Sequence, residues 1–274
     1  MESLYIALLG AIQGATEFLP VSSSGHLAAG QLLFTIESLK NQPLLLEILL
    51  HLATLVAVIA VYRKEVWSLF VGVKNMAMAV PEGRFLDTVR SDEPANLLAL
   101  LFVATIPTGV IGVVFDKTEL AKTVSVTPLF LGVSFLCCAA ILVASKFGKE
   151  KEISLSFKTA LVIGIAQGFA VMPGISRSGT TIAVALLLGM NREQAARFSF
   201  LLSIPAILGA AILELDVDQL AASDALGSIA GGVAAAFLCG LGALVLLIRL
   251  VKAGRLWLFA PYVATVGVAT ILFL

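Results

Sequence analysis

The sequence has few charged residues, and it has few of the side chains that usually build metal or catalytic sites. Charged residues make up 13% of the 274 positions and apolar residues 59%, and the chain has two histidines and three cysteines. Soluble domains carry about 25% charged residues. Too few polar side chains remain to cover a water-facing surface, and the mean hydropathy is +1.02. The composition therefore excludes a soluble globule, a disordered chain, a coiled coil and collagen, and it predicts an integral membrane protein.

The chain carries no net charge, because 18 Lys and Arg residues balance 18 Asp and Glu residues. This balance argues against nucleic acid as a partner and leaves membrane lipids as the expected surroundings. The three cysteines, Cys137, Cys138 and Cys239, lie inside apolar runs without the spacing of a metal site. We interpret them as packing residues.

Six stretches are long and apolar enough to cross a bilayer, for which a helix needs about 20 residues. They are residues 43–62, 96–115, 123–145, 197–215, 225–251 and 256–274. Residues 3–35 and 156–190 instead contain two short apolar segments each, broken by centres rich in Ser, Gly and Pro. Segments of about a dozen residues are too short to span, so both regions are predicted to form re-entrant helical hairpins.

The two predicted hairpins repeat one pattern at an offset of 154 residues. The matching pairs are Gln13 with Gln167, Gly14 with Gly168, Ser22 with Ser176, Ser24 with Ser178 and Gly25 with Gly179. Each hairpin is followed by three predicted spans. The chain is therefore predicted to be one all-α membrane domain, residues 1–274, built from two repeats, residues 1–145 and 155–274.

Basic residues predict the orientation of the chain. Fourteen of the 18 fall in loops on one side of the predicted spans, including the loops 63–95 and 146–158. Only Lys40, Lys117 and Lys122 fall on the other side, and Arg177 lies at a hairpin tip. The basic loops are expected in the cytoplasm. Because each repeat has three spans, the second repeat must then be inverted relative to the first, so that both hairpin tips meet near the bilayer midplane.

The two tips carry the polar chemistry of the chain. In QGATEFLPVSSSGH (13–26), Gln13 and Glu17 share a helix face, and serines follow where the next helix should begin. His26 lies one turn further on. The second tip, PGISRSGTT (173–181), repeats the helix start and adds Arg177. Helix-start amides, hydroxyls and a guanidinium suit a phosphate, and a neighbouring carboxylate suits a divalent cation that bridges phosphate oxygens.

Structural explanations remain open for each of these residues. His26 could simply bond within the membrane, and the Ser- and Gly-rich tips could be packing devices. Arg177 and Glu17 could form a purely structural ion pair. Glu47 and His51, four residues apart on the first span, either support the site or form a pair that packs two helices together.

Three segments carry a family resemblance: EFLPVSSSGH (17–26), PGISRSGTT (173–181) and RFSFLLSIP (197–205). They resemble the bacterial undecaprenyl-diphosphate phosphatases, membrane enzymes associated with bacitracin resistance. The resemblance covers essentially the whole chain. It implies hydrolysis of a polyprenyl diphosphate to the monophosphate, recycling of the lipid carrier of cell-wall synthesis, and a requirement for Mg²⁺ or Ca²⁺. It also implies a multi-pass protein of the cytoplasmic membrane whose active site opens to the outer, periplasmic face.

This resemblance and the tip chemistry together predict residue roles. Arg177 clamps the phosphate, Ser23 is the nucleophile, His26 is the base or the acid to the leaving group, and Glu17 binds the cation or orients the nucleophile. The predicted substrate-binding residues are Gln13, Ser22, Ser24, Ser176, Ser178 and Thr181. The family often has Glu-x-x-x-Glu where this chain has Gln13 before Glu17, which weakens any mechanism that needs two carboxylates.

Other functions and mechanisms remain open from the sequence. Direct attack by water would need no phosphorylated enzyme. A secondary transporter or a polyprenyl-phosphate flippase is the main alternative, since inverted repeats with broken helices also build transporters. A non-catalytic scaffold would leave Arg177 and His26 unexplained. The sequence leaves the prenyl chain length, the identity of the metal and a homodimeric assembly undecided.

Overall fold

The computed structural model describes residues 2–33, 44–118, 123, 127–151, 153, 155–214 and 226–274. All regular elements in this described part of the chain are helices, as the sequence predicts. Lys40 and Lys122, two of the three basic residues on the other side of the predicted spans, lie outside the described residues.

The first half of the chain forms seven helices among the described residues. They are α1 (Glu2–Phe18), α2 (Ser23–Leu33), α3 (Leu44–Val61), α4 (Arg63–Ala79), α5 (Phe85–Ser91), α6 (Glu93–Asp116) and α7 (Pro128–Ala144). The interpretation of residues 63–95 as a loop was wrong, because α4 and α5 form there. Helix α4 follows α3 after a bend of 89°. Asp92 then caps α6 by accepting a hydrogen bond from the Ala95 amide at 3.0 Å.

The second half forms five α-helices within the described part of the chain. They are α8 (Phe157–Phe169), α9 (Arg177–Leu187), α10 (Arg192–Glu214), α11 (Leu226–Lys252) and α12 (Ala260–Phe273), the last preceded by a 3₁₀ turn, Leu256–Phe259. By length and composition, five helices could cross a membrane, or six if α3 and α4 count as one bent span. The prediction of a multi-pass membrane protein is confirmed.

The predicted hairpin arms are mostly too short to cross a bilayer. Helices α2 and α9 have 11 residues each and α8 has 13. At 1.5 Å per residue they reach about 16–20 Å, against a hydrocarbon core of about 30 Å. Helix α1 is longer than predicted, at 17 residues.

Helices α1 and α8 each pack along a long helix from the other half of the chain. Helix α1 packs on α11, and α8 packs on α6. Glycines allow the close approach: a Cβ atom at Gly10 would lie 2.0 Å from the Gly232 carbonyl oxygen, and one at Gly164 would lie 2.1 Å from that of Ala104. Gly10 and Gly164 are themselves 154 residues apart. Helices α7 and α12 also pack together, and these contacts bring the two hairpin tips to one place.

Candidate active site

Both tips begin their second helix with the same serine cap. The Ser22 hydroxyl accepts a hydrogen bond from the Gly25 amide at 3.2 Å, and the Ser176 hydroxyl accepts one from the Gly179 amide at 3.2 Å. The prediction that these serines mark helix starts is confirmed. The tips differ in backbone strain, because Ser22 has a φ of 68°, in the left-handed region that non-glycine residues rarely occupy. Such strain tends to concentrate at functional sites.

The two hairpin tips contact each other directly. The Gly174 amide donates to the Ser22 hydroxyl at 3.1 Å, and the Ser178 hydroxyl donates to the Phe18 carbonyl oxygen at 2.8 Å. A Cβ atom at Gly25 would lie 2.6 Å from the Gly174 nitrogen. Glycine at this position therefore lets the two backbones touch.

Four side chains converge on the carboxylate of Glu17, which is 7% exposed. Its Oε1 accepts a hydrogen bond from the guanidinium of Arg177, the first residue of α9. Its Oε2 accepts hydrogen bonds from Ser23 Oγ and from Gln13 Nε2, each at 3.1 Å. His51 Nε2 lies 3.5 Å from the same oxygen. One carboxylate thus joins the cation of the second tip to the predicted nucleophile of the first.

A cavity of about 440 Å³ opens beside this cluster. Its polar wall carries Glu17, the three serines from Ser22 to Ser24, Ser176 and Arg177, together with Glu47 and His51 of α3. Its apolar wall comes from α6 and α10. The cavity extends to Glu47 in the first turn of α3, Val113 near the end of α6 and Leu213 near the end of α10. An anionic headgroup and an apolar chain could both be held there.

Comparison with known proteins identifies the family. The family model described as bacitracin resistance protein BacA matches residues 6–269. The chain belongs to the BacA family. It is 43% identical over 278 residues to an undecaprenyl-diphosphatase of Desulfatibacillum aliphaticivorans, covering 99% of this chain and 98% of that protein. Proteins of the same name from Treponema denticola and Bacteroides fragilis are each 40% identical, covering 97% and 99% of this chain and 96% and 98% of their own lengths.

Four of the residues that the sequence predicts for the site are not among the described residues that line the cavity. They are Gln13, His26, Ser178 and Thr181. Gln13 still contacts Glu17, whereas the hydroxyls of Ser178 and Thr181 bond to the protein interior. Thr181 is fully buried; its hydroxyl donates to the Arg177 carbonyl oxygen at 2.9 Å and contacts Ser199 Oγ. These two hydroxyls support the tip in this BacA structure, and their binding role remains a prediction.

His26 lies against α7 and α12. Its ring stacks on Tyr262 with the ring centres 5.7 Å apart, and it meets the edge of Phe135 at 5.4 Å. Its Nε2 lies 2.8 Å from the Tyr262 hydroxyl, and its Nδ1 lies 2.8 Å from the Ser22 carbonyl oxygen. Both ring nitrogens are therefore engaged by the protein. The role of His26 as base or acid is not tested by this arrangement and remains a prediction.

Two polar side chains of the cavity wall, His51 and Gln167, are not among the predicted site residues. The sequence left open whether His51, together with Glu47, supports the site or packs two helices together, and in the structure His51 faces Glu17. Gln167 served only to align the repeats, although it is 1% exposed and lines the cavity. Its Nε2 donates to the Thr108 hydroxyl at 3.2 Å, while its Oε1 is buried without a hydrogen-bond partner. Its match to Gln13 was the one signal that could have pointed to it.

The side chains around Glu17 do not fit a resident divalent cation. Mg²⁺ and Ca²⁺ need several oxygen ligands, and Mg²⁺ usually takes one or two carboxylates together with substrate phosphates. Both oxygens of Glu17 already accept hydrogen bonds, one of them from a cation. The described residues contain no group of three or more His, Cys, Asp or Glu side chains that could hold a metal. The role of Glu17 as a metal ligand remains a prediction.

Proposed function

We infer that this chain is an undecaprenyl-diphosphate phosphatase, which converts the lipid diphosphate to the monophosphate and inorganic phosphate. The relatives that this chain matches over nearly their full lengths are named undecaprenyl-diphosphatase. The observation that carries the assignment is the contact among Arg177, Glu17 and Ser23, which joins the two tips on the wall of one cavity. A cation, a carboxylate and a hydroxyl at one point suit phosphoryl transfer, in which most catalysis is positioning and neutralisation of charge.

The proposed reaction begins with attack of Ser23 Oγ on the terminal phosphorus. The bond from that phosphorus to the bridging oxygen breaks, the lipid monophosphate leaves, and a phosphoserine forms. Water then cleaves the phosphoserine and releases inorganic phosphate. Arg177 neutralises the terminal phosphate oxygens throughout. Direct attack by water on the same phosphorus is the alternative route, and replacing Ser23 with alanine separates the two, because only the first route needs this hydroxyl.

Glu17 is the proton acceptor in this proposal, because its Oε2 already receives the Ser23 hydroxyl. His26, whose Nδ1 faces the Ser22 carbonyl oxygen, would hold the backbone of the first tip. Its predicted role as the base, or as the acid to the leaving group, is the alternative. A divalent cation has no resident site in this scheme, and when bound it would supply neutralisation of phosphate charge. The residues of the chain keep their own roles: Arg177 is held by Glu17 Oε1, and Glu17 Oε2 accepts the Ser23 hydroxyl.

The architecture we propose is two repeats of inverted topology, residues 1–145 and 155–274. Reciprocal packing supports it: α1 lies on α11 as α8 lies on α6, through glycines 154 residues apart. The identical serine caps of the two tips are further support. This arrangement places each hairpin against a long helix of the other repeat.

We place the protein in the bacterial cytoplasmic membrane with the cavity open to the outer face. The cavity reaches helix ends at Glu47, Val113 and Leu213. The segments that follow or precede these ends hold only three of the 18 basic residues, as expected for the outer side of the membrane. The prenyl chain would run between α6 and α10, where Gly109 and Gly209 line the cavity and have no atom within 4 Å of a Cβ position. A cysteine at Val80, in a chain without its native cysteines, should react with an impermeant reagent only after the cells are opened.

Phosphate release by the detergent-purified protein tests the function. We expect release from undecaprenyl diphosphate, and a loss of about 10²–10⁴-fold when Glu17 is replaced by glutamine, because the proton acceptor is removed. A protein that binds or moves the lipid without releasing phosphate would instead support the transporter or flippase alternative.

A further inference from the structure

The two ring nitrogens of His51, in α3, have different partners, and Nε2 faces the side chains grouped around Glu17. Its Nδ1 lies 2.9 Å from the Glu47 carbonyl oxygen, four residues earlier in the same helix. A carbonyl oxygen only accepts hydrogen bonds, so Nδ1 donates to it and Nε2 can offer its lone pair to a donor. That lone pair points to the side of the cluster where Glu17 Oε2 lies 3.5 Å away. Two acceptors at this distance would repel each other without a donor between them.

Gln13 supplies that donor. Its Nε2 lies 3.1 Å from His51 Nε2 and 3.1 Å from Glu17 Oε2. An amide nitrogen has two hydrogens, so it donates one to the imidazole and one to the carboxylate. The two acceptors together determine the orientation of the amide, because its carbonyl oxygen in the same place would face only lone pairs.

We propose that His51 is a positioning residue, which acts through Gln13 to hold Glu17 Oε2 against the Ser23 hydroxyl. Without the imidazole acceptor, the Gln13 amide has one partner instead of two and can rotate. Glu17 Oε2 then keeps only the Ser23 hydroxyl as its donor, and the carboxylate can turn about its contact with Arg177. This inference rests on the proposed phosphatase function, since it assigns a reason for the geometry of the proton acceptor.

The same contacts explain why an amide is suited to position 13 in this chain. A carboxylate there would place an acceptor between Glu17 and the Nε2 lone pair of His51, and no hydrogen would remain to join them. Gln13 and His51 therefore form a matched donor and acceptor pair.

A purely structural role for His51 would use its other nitrogen. The bond from Nδ1 to the Glu47 carbonyl oxygen stabilises only the first turns of α3. Asparagine can place its amide nitrogen near the Nδ1 position, whereas glutamine can place its amide oxygen near the Nε2 position. The two substitutions therefore separate the two roles, and they do so with side chains of similar polarity.

The experiment compares wild type, His51→Gln, His51→Asn and His51→Ala in phosphate release from undecaprenyl diphosphate in detergent, with thermal melting of each variant. We expect His51→Gln to stay within a few-fold of wild type. His51→Asn and His51→Ala should lose about 10- to 100-fold in kcat, the range typical when a group that orients a reacting side chain is removed. KM should change little, because the substrate contacts remain.

A combination with Gln13→Ala shows whether His51 acts through the amide. The double variant with His51→Ala should lose no more activity than the more impaired single variant, because both changes remove the same contact. Activity retained in His51→Asn but lost in His51→Gln would overturn the proposal, as would equal activities in the two variants or fully additive losses in the double variant. Absence of phosphate release by the wild type would instead overturn the proposed function.

Discussion

Replacement of Arg177 by lysine tests the cationic half of the site. The guanidinium contacts Glu17 Oε1 across the two tips, and its side chain is 21% exposed. Its planar fork can hold the carboxylate and a phosphate oxygen at the same time, whereas the lysine ammonium is a compact charge on a flexible stem. Loss of one oriented transition-state donor costs about 2.7–4 kcal/mol, so we expect kcat to fall by about 10²–10³-fold.

Replacement of Arg177 by alanine should have a larger effect and a second consequence. It removes the charge as well as the donors, and it leaves the Glu17 carboxylate, only 7% exposed, without its cation. An uncompensated buried charge costs about 3–5 kcal/mol, so the melting temperature should fall together with kcat. The lysine variant should melt close to wild type, since it keeps a cation near the carboxylate.

The assay is phosphate release with kcat and KM for wild type and both variants on one detergent-solubilised substrate. Arg192 supplies the matched control, because its ion pair with Glu150 at 3.2 Å has side chains 44% and 42% exposed. Exposed pairs contribute about 0–1 kcal/mol, so the same substitutions at Arg192 should leave kcat unchanged. A kcat of the Arg177→Lys variant within a few-fold of wild type would refute the proposal that the planar guanidinium binds the phosphate. Full activity of its alanine variant would show that the second tip does not bind phosphate.

Four further predictions concern the tip, the packing, the tail and the metal. His26→Ala should lower kcat at least about 10-fold, whereas His26→Asn should stay within a few-fold of wild type, because asparagine can still donate to the Ser22 carbonyl oxygen. A loss of roughly 10²-fold in the asparagine variant would instead support His26 as the base. Gly164→Ala should lower the melting temperature, because its Cβ would meet the Ala104 carbonyl oxygen at 2.1 Å. Gly30→Ala should leave the melting temperature unchanged, because no atom lies within 4 Å of a Cβ at that position. Equal melting temperatures of the two variants would contradict the close packing at Gly164. Gly209→Phe should raise KM with little change in kcat, because the ring fills the proposed path of the prenyl chain; an unchanged KM would place the tail elsewhere. Chelation of divalent cations should leave the melting temperature of the substrate-free protein unchanged, and a clear fall would reveal a resident metal site.

The helices and their grouping follow from the sequence for local reasons. Apolar runs of about 20 residues leave little choice other than spanning helices. Serine before a helix start caps it wherever it lies, so Ser22 and Ser176 could be assigned from the sequence. The segment 63–95 was misread because its helices are less apolar. Helix α4 packs one face on α6 and has only moderate hydropathy, so length and polarity suggested a loop.

The residues at the tips were identified from the sequence, but their partners were not. Glu17, Ser23 and Arg177 stand out because ionisable and polar groups at membrane depth need a reason to be there. The contact between Glu17 and Arg177 was one of the readings that the sequence left open. The sequence did not predict that His51, rather than His26, faces Glu17.

Which residues share a helix face follows from the sequence alone, whereas the neighbour that each face contacts depends on the tertiary structure. His26 follows Ser23 by three residues, and that spacing suggested a nucleophile and its base. The packing of α2 on α7 leaves the ring against Tyr262 of α12, which lies 236 residues further along the chain. His51 lies on a different helix, and only the contact between α1 and α3 brings it to Gln13. Helical periodicity repeats every 3.6 residues and therefore carries local information, whereas the neighbour of a helix face depends on how all the helices pack together.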